Sequence, residues 1–264
     1  MEPVAFLGLG ALGAPLAQNL LAAGVPLTVW NRTADKAKPL VEAGAKQAAT
    51  APAAIARGGV VMSILWDDAS IEELVRSPGF LDAIGPGGVH VSMTTVTPQC
   101  VRALAPLHEA RGIAFVVATL FCTPPMAKAR EALVCLAGQA APKARVRPLL
   151  DAMGAKAVFE FGEDVGAAAA TKLAGNFLLM ATFATMREMA DSLAAAGVDP
   201  APALEMLTTT MMATPHHQRY AAGLKQGMRA IPSAIPKKDV GLFVRFTTEA
   251  GAEAPIATAV EKTF

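Results

Sequence analysis

The chain has 264 residues, 53 % of them hydrophobic, and a formal net charge of +1. That length allows two domains and a substantial core. A near-neutral balance, with no basic run interleaved with aromatics, argues against nucleic acid, a polyanionic partner or a membrane surface. The three cysteines, Cys100, Cys122 and Cys135, show no Cys-x-x-Cys spacing and read as reduced thiols of a cytoplasmic protein. A strand begins close behind the amino terminus, which leaves no room for a secretory signal. The apolar stretch from Phe177 to Met186 is far shorter than a bilayer span.

Val4-Ala5-Phe6-Leu7 reads as a buried strand that runs into Gly8-Leu9-Gly10-Ala11-Leu12-Gly13. Ala14 to Ala23 then carries an apolar helical pattern, with Gly24 as its stop. In this Gly-x-Gly-x-x-Gly spacing the first glycine permits the tight strand-to-helix turn. The second lets backbone amides approach a pyrophosphate, and the third lets the helix pack closely on the strand. The helix start adds unpaired N–H groups and a positive dipole end. Strand, glycines and helix together predict a dinucleotide site.

Leu27-Thr28-Val29-Trp30 is the second predicted strand, with Asn31-Arg32-Thr33 at its carboxyl end. An NAD site places an acid roughly 20 residues after the glycines to hold the ribose 2′-hydroxyl. Here Arg32 supplies a forked cation, Thr33 a hydroxyl and Lys36 a further charge. These groups suit a 2′-phosphate, because guanidinium and phosphate form charge-assisted paired hydrogen bonds. NADP(H) is therefore the expected cofactor. The same residues also serve to open the next helix with Thr33 as N-cap, and the two readings are compatible.

Further on, Asp35 to Ala43 is predicted helical, Lys46 to Ala49 a weak strand, and Thr50-Ala51-Pro52 another helix start. Val60 to Leu65 is a nearly pure apolar run, as a central parallel strand should be, and it delivers Trp66-Asp67-Asp68 to the ligand-binding rim. After a helix from Ala69 to Val75, the strand Val89 to Met93 brings Thr94-Thr95 to the same rim. Thr97-Pro98 opens a helix to about Arg111. Strand Ala114 to Leu120, a loop at Pro124-Pro125, strand Ala132 to Ala137, helix Pro142 to Met153 and strand Ala157 to Phe161 follow. This alternation predicts an α/β fold with a doubly wound parallel Rossmann sheet over residues 1–163. Residues 164–264 show no convincing strand and predict an all-helical domain. Its long apolar helix, Ala167 to Ala196, has more apolar surface than one small domain covers, so a homodimer through this domain is expected.

Lys172 and Asn176 are four apart and share one face of that helix. A cation among alanines and leucines is poorly explained as a solvated charge. Lys172 can stabilise a developing alkoxide and give it a proton while Asn176 orients the oxygen. The competing reading is a lysine snorkelling from an interface helix. His216-His217 does not read as a metal site, since adjacent histidines point to different helix faces and no other ligand sits at suitable spacing. His90 and His108 read as structural and Met211-Met212 as core or cleft lining. Tyr220 reads as an interface residue ahead of a second proton donor.

The order Gly8 to Gly13, Asn31-Arg32-Thr33, Thr94-Thr95, the Lys172/Asn176 helix and Lys238-Asp239 resembles the β-hydroxyacid dehydrogenase family over nearly the whole chain. That family includes 3-hydroxyisobutyrate dehydrogenases and glyoxylate or succinic semialdehyde reductases. The resemblance implies that Leu65, Trp66 and Thr95 line the adenine-ribose and nicotinamide side. It implies Lys172 as the catalytic lysine, Asn176 as its substrate-binding neighbour and Lys238 as a lysine near the closed site.

The family's carboxylate-binding Ser-Gly-Gly segment is replaced here by Val117-Ala118-Thr119-Leu120-Phe121-Cys122-Thr123-Pro124. This looks more like the Phe-Gly-Arg-Pro loop of imine reductase-like relatives, with Cys122 and Thr123 in place of the glycine and arginine. Phe121, Cys122 and Thr123 are the expected substrate contacts. The retained lysine favours carbonyl chemistry, whereas the apolar loop favours a bulkier or less acidic substrate or an imine. A non-catalytic NADP(H)-binding sensor is the third reading. The family continues past the Lys-Asp helix further than Phe264, so the carboxyl end is expected to be short.

Overall fold

A computed structural model of the chain describes residues 2–231 and 233–264. They divide into two compact units, one ending at Lys172 and the other spanning Leu173–Phe264. Among the described residues of the first unit, eight strands form one sheet. They are β1 (Val4–Leu7), β2 (Leu27–Trp30), β3 (Lys46–Gln47), β4 (Val60–Ser63), β5 (Val89–Ser92), β6 (Ala114–Phe121), β7 (Ala132–Ala137) and β8 (Ala155–Glu160). Their order is β3-β2-β1-β4-β5-β6-β7-β8, so the winding reverses between β1 and β4. That reversal opens a crevice at the strands' carboxyl ends, where ligands of such sheets bind. The connecting helices are α1 (Gly13–Ala22), α2 (Lys38–Glu42), α3 (Asp68–Arg76), α4 (Phe80–Ile84), α5 (Pro98–Glu109), α6 (Pro124–Lys128) and α7 (Ala140–Met153).

The central strands are apolar throughout because both faces are covered. Val4 and Phe6 join the cluster containing Leu16, Leu20 and Leu149, whereas Ala5 and Leu7 join Ile71, Phe80 and Leu104 on the other side. Asn19 pins α1 by donating to the carbonyls of Ala127 and Met153, each at 2.8 Å. The sheet departs from the expected all-parallel pattern at one place: β7 runs antiparallel to β6. Only residues 122–131 connect them, and a parallel crossover needs about a dozen or more. Part of that connection, expected as loop, is the short α6. The helix expected after Thr50 is only a 3-10 turn, Pro52–Ala54.

His90 and His108 are buried between Phe80 and Phe115 in a single hydrogen-bonded row. His108 Nδ1 lies 2.8 Å from the Leu104 carbonyl, so it must donate. His108 Nε2 then accepts from His90 Nδ1 at 2.9 Å, and His90 Nε2 accepts the Ser63 hydroxyl at 2.8 Å. Burial holds both imidazoles neutral, with His108 pushed down to about 4 and His90 well below its ordinary value. The unfolded chain binds these protons at about pH 6.5, so stability is full above that pH and is lost as pH falls toward 4. For His108 alone the loss is on the order of 3 kcal/mol. Urea unfolding at intervals between pH 7 and pH 4.5 should show it; a flat midpoint across that window would contradict the neutral row.

α8 (Val165–Ala195) is a single helix whose first turns belong to the first unit and the remainder to the second. By length and hydropathy it is apolar enough to cross a bilayer, more than the stretch from Phe177 to Met186 alone suggests. Val165, Ala168 and Ala169 nevertheless lie in the core of the first unit. In the second unit α9 (Pro200–Thr209), α10 (Pro215–Lys225), α11 (Ile235–Glu249) and α12 (Pro255–Glu261) follow. Phe183, Met186, Leu204, Tyr220 and Leu224 form one cluster, and Ala184, Val240, Ala257 and Val260 another. Tyr220 is therefore core rather than interface, its ring 5.1 Å from that of Phe183. Met211, expected inside, is 76 % exposed in the turn after α9.

Candidate active site

The glycine loop is shaped by contacts that leave no room for side chains at two of its three glycines. Gly8 has φ +100°, and a Cβ there would stand 2.0 Å from the Ile64 carbonyl oxygen and 3.3 Å from the Leu65 side chain. A Cβ on Gly13 would stand 2.0 Å from the Gly8 carbonyl oxygen. Gly10 is different: a Cβ there would meet nothing within 4 Å. The protein does not itself need that space, so the glycine suits a group approaching from outside. α1 begins with no side-chain cap and no acid in its first turn, which keeps its positive end available to an anion. These residues fit a dinucleotide pyrophosphate. Ala11 is exposed and Leu12 half-buried beside that helix start, while Leu9 is buried.

Asn31 joins the end of β2 to this loop. Its Oδ1 accepts from the Leu9 amide at 2.8 Å, and its Nδ2 donates to the Thr33 carbonyl at 2.9 Å. Arg32, Thr33 and Lys36 are exposed beyond it. Thr33 occupies the N-cap position of the 3-10 turn Ala34–Ala37, but its hydroxyl makes no capping bond. Asp35, the acid nearest to Arg32 in sequence, pairs with Lys38 at 2.8 Å.

After β4, Leu65 is held by its amide, which donates to the buried Thr94 hydroxyl at 2.9 Å. Trp66 is 51 % exposed and Thr95 half-buried at the same rim. Asp67 and Asp68, expected at the rim as well, have structural duties. Asp67 caps α3 through the Ser70 amide at 2.9 Å, and Asp68 accepts from the Thr97 amide and hydroxyl at 3.0 and 2.7 Å.

Lys172 is 7 % exposed, and its Nζ stands 4.1 Å from the centre of the Phe121 ring at the carboxyl end of β6. A desolvated ammonium over an aromatic face gains about 2 kcal/mol. Burial pushes the neighbouring Cys122 thiol up to about 11, against the pull of the Lys172 charge. Cys122 is thus a protonated, half-buried wall and not a nucleophile. Thr123 is half-buried beside it. The structure thus brings Lys172, Phe121 and Cys122 together on the rim that carries the glycine loop.

Asn176 and Lys238 meet through a residue the sequence reading left without a role. The buried Asp239 accepts from Asn176 Nδ2 at 2.5 Å through Oδ2, and Lys238 Nζ lies 2.7 Å from Oδ1. That second contact is close in charge but poorly aligned as a hydrogen bond. A signal was available, since Asp239 falls three residues after Pro236 and three before Leu242, on the buried stripe of α11. Among the described residues no group of three or more histidine, cysteine or acidic side chains could hold a metal ion.

The NAD-binding domain of 6-phosphogluconate dehydrogenase matches residues 3–162. An uncharacterized oxidoreductase, YfjR of Bacillus subtilis (strain 168), is 30 % identical over 99 % of this chain and 92 % of its own length. The chain belongs to the β-hydroxyacid dehydrogenase family. It is a pyridine-nucleotide-dependent dehydrogenase or reductase. Another relative of this dehydrogenase, the chloroplastic glyoxylate/succinic semialdehyde reductase 2 of Arabidopsis thaliana, is 28 % identical over 99 % of this chain and 73 % of that protein. Among solved structures, the Mycobacterium tuberculosis 3-hydroxyisobutyrate dehydrogenase with L-serine superposes with a TM-score of 0.87 at 23 % identity, covering 99 % and 92 % of the two chains. A reductive aminase from Aspergillus terreus, in complex with NADPH and ethyl levulinate, superposes with a TM-score of 0.70 at 29 % identity, covering 98 % and 91 %.

Proposed function

We propose that this dehydrogenase is an NADP(H)-dependent reductase, or the reverse dehydrogenase, of a small carbonyl or hydroxy compound, with Lys172 as its proton donor. The observation that carries the reading is the buried ammonium of Lys172 over Phe121, at the carboxyl end of β6. A buried cation held there has a use where negative charge develops on oxygen. Residues 8–13 hold the pyrophosphate, and Leu65, Trp66 and Thr95 line the nucleotide beyond it. The bound dinucleotide supplies the hydride. Lys172 holds the carbonyl oxygen, stabilises the alkoxide and delivers its proton, and Asn176, oriented by Asp239, directs that oxygen. Phe121, Cys122 and Thr123 form the substrate wall, and Lys238 is assigned to cofactor binding by the family resemblance.

The preference for NADP(H) follows from Arg32, with Thr33 and Lys36, at the end of β2. Arg32→Ala should weaken NADPH binding by about 1–3 kcal/mol, the scale of a hydrogen bond to a charged group, and barely change NADH binding. Equal losses in titrations with both cofactors would refute the 2′-phosphate role.

An imine reductase on the same scaffold is the second reading, supported by the Phe121-Cys122-Thr123 loop and by the likeness to the reductive aminase. NADPH oxidation across glyoxylate, succinic semialdehyde and a cyclic imine panel ranks the two. No turnover of any, with NADPH still bound, would leave the sensor reading. We also propose residues 1–163 as the nucleotide domain and 164–264 as the substrate and dimerisation domain of a cytoplasmic homodimer, with no nucleic-acid or membrane partner. Exposed Leu178, Val198, Met206 and Ile256 in the helical unit support the dimer. Sedimentation showing only monomer would exclude it.

A further inference from the structure

Thr119 is a polar side chain in the strand sequence Ala-Phe-Val-Val-Ala-Thr-Leu-Phe of β6. It is fully buried, and its hydroxyl donates to the carbonyl of Ala168 at 3.0 Å. Ala168 lies in the first turn of α8, four residues before Lys172, so the same carbonyl is the regular helical acceptor of the Lys172 amide. Two residues along β6, on the same face, Phe121 lies under the ammonium. One strand therefore holds both ends of the lysine, its backbone through Thr119 and its charge through Phe121.

The bond has a fixed direction. Cys135 stands opposite Thr119 in the antiparallel register. The Ala168 carbonyl can only accept, so the Thr119 hydroxyl must give its proton to it. Packing alone does not select threonine here. A buried hydroxyl left unpaired costs more than a paired one contributes, while valine fills the same space with nothing to satisfy.

We infer that Thr119 is a positioning residue for Lys172: by holding the Ala168 carbonyl it fixes the start of α8 on β6 and keeps the ammonium over Phe121. The catalytic consequence rests on the lysine mechanism proposed above, whereas the geometry does not.

Full-length protein labelled with [ε-13C]lysine reports that geometry directly. The Lys172 ε-methylene signal, identified by its loss in Lys172→Arg, should be displaced upfield by the Phe121 ring. In Thr119→Val the displacement should disappear and kcat for the best substrate should fall about 10- to 100-fold, with KM for the dinucleotide within about twofold. Thr119→Ser should keep both the displaced signal and the rate. Should the valine variant fail to fold, Thr119→Ala against Thr119→Ser makes the same comparison, since these differ only in the hydroxyl. An unmoved Lys172 signal in the variant lacking the hydroxyl overturns the inference, whatever its rate. A lost displacement together with undiminished turnover in Lys172→Ala upholds the positioning role and removes the lysine mechanism.

Discussion

Lys172→Ala is expected to lower turnover of a carbonyl substrate by about 10²- to 10⁴-fold, the range of a lost general acid, while NADPH affinity stays within about twofold. The side chain touches Phe121 rather than the glycine loop, so the dinucleotide loses no contact the structure shows. A large kinetic loss with NADPH affinity kept separates a functional lysine from one that snorkels off an interface helix. Undiminished kcat in the alanine variant would remove the mechanism. A normal rate with an imine but a lost rate with aldehydes would move the reading to the second chemistry.

The glycine loop supports a second large contrast. Gly13→Ala should destabilise the fold by at least about 3 kcal/mol, because its Cβ would overlap the Gly8 carbonyl oxygen, which the β1-to-α1 turn holds in place. Gly10→Ala should leave the melting temperature unchanged, since nothing beyond its own chain neighbours lies within 4 Å of the added carbon. It should still cost tenfold or more in dinucleotide affinity, about 1.4 kcal/mol, by filling the approach to the pyrophosphate. Thermal unfolding with and without NADPH reads both effects in one experiment. Unaltered binding by Gly10→Ala would mean that the cofactor does not approach through that space.

The nucleotide half was readable in advance because its signals are local. The run from Val4 to Gly13 states strand, turn and helix within ten positions, and the apolar strands at Val60 and Val89 need no distant partner to be recognised. What escaped was set by pairs far apart in the chain. The antiparallel turn of β7 depends on the length of the 122–131 link, and Thr119 gains meaning only when Ala168 is brought beside it. Asp67 and Asp68 stand at the expected rim yet are engaged within the protein: Asp67 caps its own helix through the Ser70 amide, and Asp68 accepts from the amide and hydroxyl of Thr97, 29 residues on. The duty of Asp239 is invisible beside Lys238, since its hydrogen bond reaches back 63 positions to Asn176.

The double bond made by Asn31 limits how cofactor choice can be altered. Converting this residue to aspartate, the obvious route toward a 2′-hydroxyl, keeps an acceptor for the Leu9 amide. It also turns the opposing donor into an oxygen facing the Thr33 carbonyl, so the hinge between the second strand and the phosphate turn would be set against itself. If the proposed NADP(H) preference holds, redesign for the unphosphorylated coenzyme therefore has to begin one position later, at Arg32, and leave the asparagine alone.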